Sequence, residues 1–218
     1  MNRIVLITAI MMSMAFIPQQ KTKVVLFGDS ITEQGVKPGG YVTLLDSLSK
    51  ATTGDAFEFI GAGIGGNKVY DLYLRMETDV LDKNPDIVVI YIGVNDVWHK
   101  RSAGTGTDAD KFEKFYDAIL KKLKAKNIKA VICTPAVIGE KTDYTNPLDG
   151  DLNLYSGIIR NIAHKNNLPL VDLRQLFLDY NKKHNTSNKE KGSLTVDGVH
   201  LNAKGNQLVA DAIWKAVK

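Results

Sequence analysis

The sequence predicts an α/β fold in which a parallel sheet carries helices on both faces. Short β-branched runs alternate with longer helical patterns from Lys23 to the C-terminus, the arrangement that produces βαβ crossovers. The strand-like runs are continuously apolar, as expected of strands buried on both faces. The 218 residues, 44% apolar and 24% charged, suit a soluble domain that buries one substantial core without disulfide or metal.

Val24-Val25-Leu26-Phe27 reads as the first buried strand, ending at Gly28. A helix over Tyr41–Ser49 and a strand over Phe57–Ile60 follow. The next helix places Val69, Leu72, Tyr73, Met76 and Val80 on one face and stops before Asn84-Pro85, because proline disfavours helix in the residue preceding it. Residues 86–92 form the strongest apolar run and predict a central strand. A helix from about Asp108 to Lys126 carries Phe112, Phe115, Tyr116, Ile119 and Leu123 along one side. Ala130–Cys133 is a fourth strand, Tyr155, Ile158, Ile159 and Ile162 mark a helix, and Leu168–Val171 is a fifth strand. Leu208, Val209, Ala212, Ile213 and Ala216 close the chain as a helix. Polar loops are expected at 94–107, 134–150 and 185–199; such long loops are commonly functional. In open α/β sheets ligands bind beyond the carboxyl ends of the strands, which is where the chemistry is to be sought.

The N-terminus reads differently. Arg3 precedes an apolar stretch from Ile4 to Ile17, followed by the polar run Pro18-Gln19-Gln20-Lys21. Fourteen residues are short for a bilayer span but suit the apolar region of a signal peptide. Residues 1–20 are therefore assigned as a leader and 21–218 as the functional domain, exported to the periplasm or the exterior after cleavage, with no stable membrane insertion. Removing the leader takes away only Arg3 and lowers the formal charge from +4 to +3. Lys121, Lys122, Lys124 and Lys126 supply part of that charge as a solvated helix face, and no basic patch interleaved with aromatics marks a nucleic-acid partner. Cys133, the single cysteine, sits in an apolar run and reads as a buried thiol. The sequence sets no oligomeric state.

Four short segments carry chemistry. Gly28-Asp29-Ser30 ends the first strand, where a serine can expose its hydroxyl and keep its own N–H free. Gly61-Ala62-Gly63-Ile64-Gly65-Gly66-Asn67 follows the second strand, and Gly93-Val94-Asn95-Asp96 the third. Asp197-Gly198-Val199-His200 precedes the last helix. Each alone is ordinary turn or cap chemistry. Together they provide what ester cleavage requires: a nucleophile, a base, a group that fixes the base's tautomer, and donors for an oxyanion.

In these segments the sequence resembles the SGNH or GDSL hydrolases, over nearly all of the chain beyond the leader. Gly28-Asp29-Ser30-Ile31 is similar to the first block of that family, with Ile in place of Leu. Gly63-Ile64-Gly65-Gly66 resembles the second, Gly93-Val94-Asn95-Asp96 the third and Asp197-Gly198-Val199-His200 the last. The resemblance implies Ser30 as nucleophile, His200 as base and Asp197 as its orienting partner. It also implies an oxyanion hole of the Ser30 and Gly66 N–H groups and the Asn95 side chain. Gly61 stands where the family usually has Asn or Asp, so Gly63 and Gly65 remain open as alternatives to Gly66. The implied fold is a three-layer α/β/α sandwich, flavodoxin-like, with a five-stranded parallel sheet and neither metal nor organic cofactor. Asp29, within the first block, and Trp98 and His99, just beyond the third, are expected to line the substrate site, although Trp98 could equally anchor its loop. His164, in a helix, and His184, near a helix end, read as structural or exposed.

Other readings compete. Gly61-x-Gly63-x-x-Gly66 fits the dinucleotide-binding fingerprint, but no acidic residue closes the next strand at the required spacing: Asp82 precedes that strand and Asp96 lies too far on. A non-catalytic carbohydrate-binding protein would have little use for the complete constellation. Within ester hydrolysis, the polar loops favour short acyl groups, above all acetyl, on a carbohydrate or small alcohol, with a lysophospholipase or thioesterase as the alternative.

Overall fold

The computed structural model describes residues 20–218, so the leader expected over 1–20 lies, but for Gln20, outside the described residues. Five strands form one parallel sheet: β1 (Thr22–Gly28), β2 (Phe57–Gly63), β3 (Ile87–Tyr91), β4 (Lys129–Cys133) and β5 (Leu170–Val171), in the order β2-β1-β3-β4-β5. Eight α-helices connect and cover them: α1 (Ser30–Gly35), α2 (Tyr41–Thr53), α3 (Val69–Asp79), α4 (Val94–Ser102), α5 (Ala109–Ala125), α6 (Asp149–Asn166), α7 (Leu173–His184) and α8 (Ala203–Val217). This is the α/β/α sandwich expected.

Alternation of side chains along each strand divides the core in two. Val24, Leu26, Val89, Tyr91, Val131 and Cys133 pack with apolar residues of α2, α7 and α8. Val25, Phe27, Val88, Ile90, Ala130 and Ile132 pack with those of α3, α5 and α6. Neither face meets water, which is why the strands read as unbroken apolar runs. Phe112, Tyr116, Ile119 and Leu123 form the buried stripe of α5, as their spacing predicts, while Lys121, Lys124 and Lys126 are exposed. Burial pushes the Cys133 thiol far up, so it remains a core thiol.

The structure corrects three expectations. Residues 94–107 are not a loop throughout, since α4 occupies 94–102. A helix, α7, fills 173–184, where the sequence reading places only a helix end near His184. The second strand runs on to Gly63, so the first two glycines of the apparent dinucleotide fingerprint are strand residues paired with Leu26 and Gly28. They therefore form no turn that could cradle a pyrophosphate.

The register brings the site together. Gly28 lies opposite both Gly63 and Tyr91, so β1, β2 and β3 end level with one another. The chain turns to opposite sides of β1 to form β2 and β3, and the carboxyl edge between β1 and β3 is the switch point where such sheets bind ligands.

Candidate active site

Ser30 is the first residue of α1. Asp29 caps that helix, accepting from Ile31 N at 2.9 Å. The Ser30 N–H belongs to the first turn, whose donors no helix carbonyl can reach, at the positive end of the helix dipole. Asp29 is 2% exposed, and its carboxyl is pushed up to about 7, chiefly by burial and further by the charge of Asp96, against the opposing effects of the Ile31 N–H and His200.

Ser30 Oγ lies 2.9 Å from His200 Nε2, and His200 Nδ1 lies 2.7 Å from Asp197 Oδ2. With Nδ1–H donating to the carboxylate, Nε2 is left as an acceptor for the serine hydroxyl. Asp197 Oδ1 also accepts from Val199 N at 2.9 Å and His200 N at 2.8 Å. Desolvation would raise the Asp197 carboxyl, but these hydrogen bonds hold it below the usual carboxylate range. Gly198, at φ +99°, makes the reversal that brings His200 back over Asp197. The Asp-x-x-His spacing is thus a local turn in which one carboxylate binds two backbone N–H groups and one ring.

The segment from Ile64 to Val69, between β2 and α3, passes close to Ser30 at Gly65. Asn67 N donates to Ile64 O, and the Asn67 carbonyl accepts from Asn95 Nδ2 at 3.1 Å. The Gly66 carbonyl accepts from Lys68 Nζ at 3.1 Å, Lys68 N donates to Asp71 Oδ2 at 2.9 Å, and Val69 N donates to Asp96 Oδ1 at 3.1 Å. Arg75 binds Asn67 Oδ1 at 2.7 Å and reaches the carbonyls of Gly28 and Ala62. Asn67, Lys68 and Val69 are thereby tied to residues of α3 and α4, and Gly66 to the Lys68 side chain. Asn95, 2% exposed on α4, commits one amide proton to Asn67 and retains a second. Asp96 is fully buried, and that burial pushes its carboxyl up to about 6.

The residues flagged beside the blocks divide. His99 lies beside the glycine-rich segment: its Cε1 is 3.7 Å from where a Cβ on Gly66 would stand, and burial next to Lys68 holds its imidazole below the usual histidine range. Trp98 packs against both halves of the core and so anchors α4. Among the described residues, no cluster of three or more His, Cys, Asp or Glu side chains is placed to hold a metal ion. Of the residues that fix this segment, Asp96 closes the third block, whereas Lys68 and Arg75 carry no sequence signal beyond their nearness to the glycine-rich block.

The profile of the GDSL-like lipase/acylhydrolase family matches residues 26–208. The chain belongs to this family. It is a carboxylic ester hydrolase of the GDSL type, and its likeness to individual members extends over most of its length. A crystal structure of an acetyl xylan esterase, AlAXEase, is 62% identical and superposes with a TM-score of 0.88, covering 90% of this chain and 100% of that one. The acetylxylan esterase of Geobacillus stearothermophilus is 29% identical over 212 residues, 89% of this chain and 93% of the relative. Structures of that enzyme include variants described as catalytic mutants, in which a serine, an aspartate or a histidine is replaced by alanine. The uncharacterized lipoprotein YqeF of Bacillus subtilis is 25% identical over 215 residues, 87% of each chain.

Proposed function

We propose that this chain removes acetyl groups from acetylated xylan or a similar carbohydrate, with Ser30, His200 and Asp197 as its catalytic triad. The observation that carries the reading is the continuous chain of hydrogen bonds from Ser30 Oγ through both ring nitrogens of His200 to Asp197. Ser30 Oγ attacks the acetyl carbonyl while His200 Nε2 takes its proton, and the Asp197 carboxylate stabilises the imidazolium that forms. The carbonyl oxygen becomes an oxyanion held by the N–H groups of Ser30 and Gly66 and the uncommitted amide proton of Asn95. Collapse of this intermediate expels the sugar hydroxyl, which takes the proton back from His200. Water, activated by the same histidine, then releases acetate and restores Ser30.

Support for acetyl and carbohydrate comes from the two acetylxylan esterases to which the chain is similar. Support for a Ser-Asp-His triad comes from the catalytic mutants of one of them. The leader over 1–20 and export belong to the same reading, since the natural substrate is a cell-external polymer and one relative is named a lipoprotein. Among the described residues no helix is long and apolar enough to cross a membrane.

The test compares wild type and Ser30→Ala on acetylated xylo-oligosaccharides and p-nitrophenyl acetate. Loss of the nucleophile should lower kcat by about 10⁶ while the circular dichroism spectrum is unchanged. Turnover near the wild-type rate in the folded variant would refute the triad. Good activity on p-nitrophenyl acetate with none on the acetylated sugars would refute the substrate.

A further inference from the structure

We infer that Glu140 is a positioning residue that sets the geometry of Asp197 and His200 through the backbone of residues 193–195; the inference rests on the triad proposed above. Asp197 is an exposed residue of a segment, 192–202, that contains no helix before Ala203 and only a single antiparallel bridge, Thr195 to Leu201. Such a segment has little of its own to hold a catalytic pair to the fraction of an ångström that proton transfer requires. Glu140 supplies the missing constraint. It is 1% exposed, and its carboxylate accepts three consecutive backbone N–H groups: Ser193 to Oε2 at 2.7 Å, Leu194 to Oε1 at 2.6 Å and Thr195 to Oε1 at 2.8 Å. Successive N–H groups converging on one anion form a nest, and no lysine or arginine pairs with this anion among the described residues.

The anchor is itself tied down. Glu140 N donates to Glu190 O, Asn185 Nδ2 donates to the Glu140 carbonyl, and Gly139 N donates to Gly198 O within the Asp197–His200 turn. From the anchored Thr195 the constraint passes directly to the pair. Thr195 Oγ1 accepts from Gly198 N at 3.0 Å, and Val196 N donates to His200 O at 2.8 Å. A single residue, Val196, separates the nest from Asp197, and the turn is bonded back to Thr195 through Gly198 and to Val196 through His200.

Glu140→Gln keeps the shape but turns an NH₂ group towards the Ser193 N–H when its oxygen stays on Leu194 and Thr195. Donor then faces donor, and the nest must open. Glu140→Asp keeps the charge but is too short to reach all three N–H groups. Rates per folded molecule are measured for both variants, with Ser30→Ala alongside. The expected result is a fall in kcat of about 10- to 100-fold with KM within about twofold, together with loss or broadening of the downfield proton resonance of His200 Nδ1–H. A purely structural role would lower the melting temperature and leave kcat per folded molecule and that resonance unchanged, which would overturn the inference. If only one of the two variants folds, its kcat and resonance decide by the same criterion. If neither folds, Glu140 is a folding determinant and the inference fails. Activity in Ser30→Ala would instead count against the triad itself.

Discussion

Asp29 shows how one residue can serve the local fold well and still carry a cost. As the cap of α1 it holds the helix whose first residue is Ser30, and caps of this type contribute on the order of 1 kcal/mol. Its burial, however, moves the carboxyl from 3.8 to about 7. Below the lower value both folded and unfolded chains are protonated, so the group adds no pH dependence. Between the two values the unfolded chain ionises first, and folding stability falls as pH rises. Above the upper value the whole penalty is present, at most about 4 kcal/mol. Asparagine caps equally well and carries no charge. Asp29→Asn should therefore gain stability over the wild type progressively between pH 4 and pH 8, as measured by urea unfolding. A stability difference that is constant across this range would mean that Asp29 ionises normally in the folded protein.

At the scale of elements, the proposed oxyanion hole depends on α4. It presents Asn95 to the site and Asp96 to Val69 N, so one short helix both contributes a donor and fixes the segment that carries Gly66. Asn95→Ala should lower kcat by roughly 10²–10³ with little change in KM, because the oxyanion is present chiefly in the transition state. A variant altered in KM alone would mean that Asn95 only binds substrate. This helix was also the hardest to read. Val94 packs into one half of the core, Val97 into the other, and Trp98 touches both, so no single apolar stripe repeats at helical spacing. The six-residue α1 is too short to show a period at all. Strands and long helices were legible because each buries a face with regular spacing. Ser30, Asn95, Asp197 and His200 stand out in the sequence because each lies in a short segment of the residue types that ester cleavage requires. Glu140 and Arg75 left no trace: their partners are backbone groups or residues remote in sequence, and a polar side chain in a loop or on a helix carries no pattern that names its partner.

For the whole molecule the sheet order matters most, since it places the site on an open carboxyl edge and not inside the core. What lies next to Ser30 there is small or polar: Gly65, with Glu33 close to it, and His200 with its partner Asp197. Ile64 and Val196 are exposed apolar residues in the adjoining segments, but each is a single side chain. A groove of about 250 Å³ beside Ile31 and Leu201, the residues that follow Ser30 and His200, is bordered by Gln34, Lys37 and Asn206 and so is mixed in character. A larger cavity of about 560 Å³ lies at the amino ends of β1 and β3, away from the serine. Each methylene of an acyl chain is worth about 0.8 kcal/mol only when apolar surface covers it, and this rim offers little cover beyond the first carbons. Esters of one alcohol should therefore be cleaved with kcat/KM highest for acetate and falling as the acyl chain lengthens to decanoate. The comparison uses p-nitrophenyl esters below their critical micelle concentrations, and a preference for decanoate would mean that an apolar channel opens when substrate binds and that the enzyme acts on lipid.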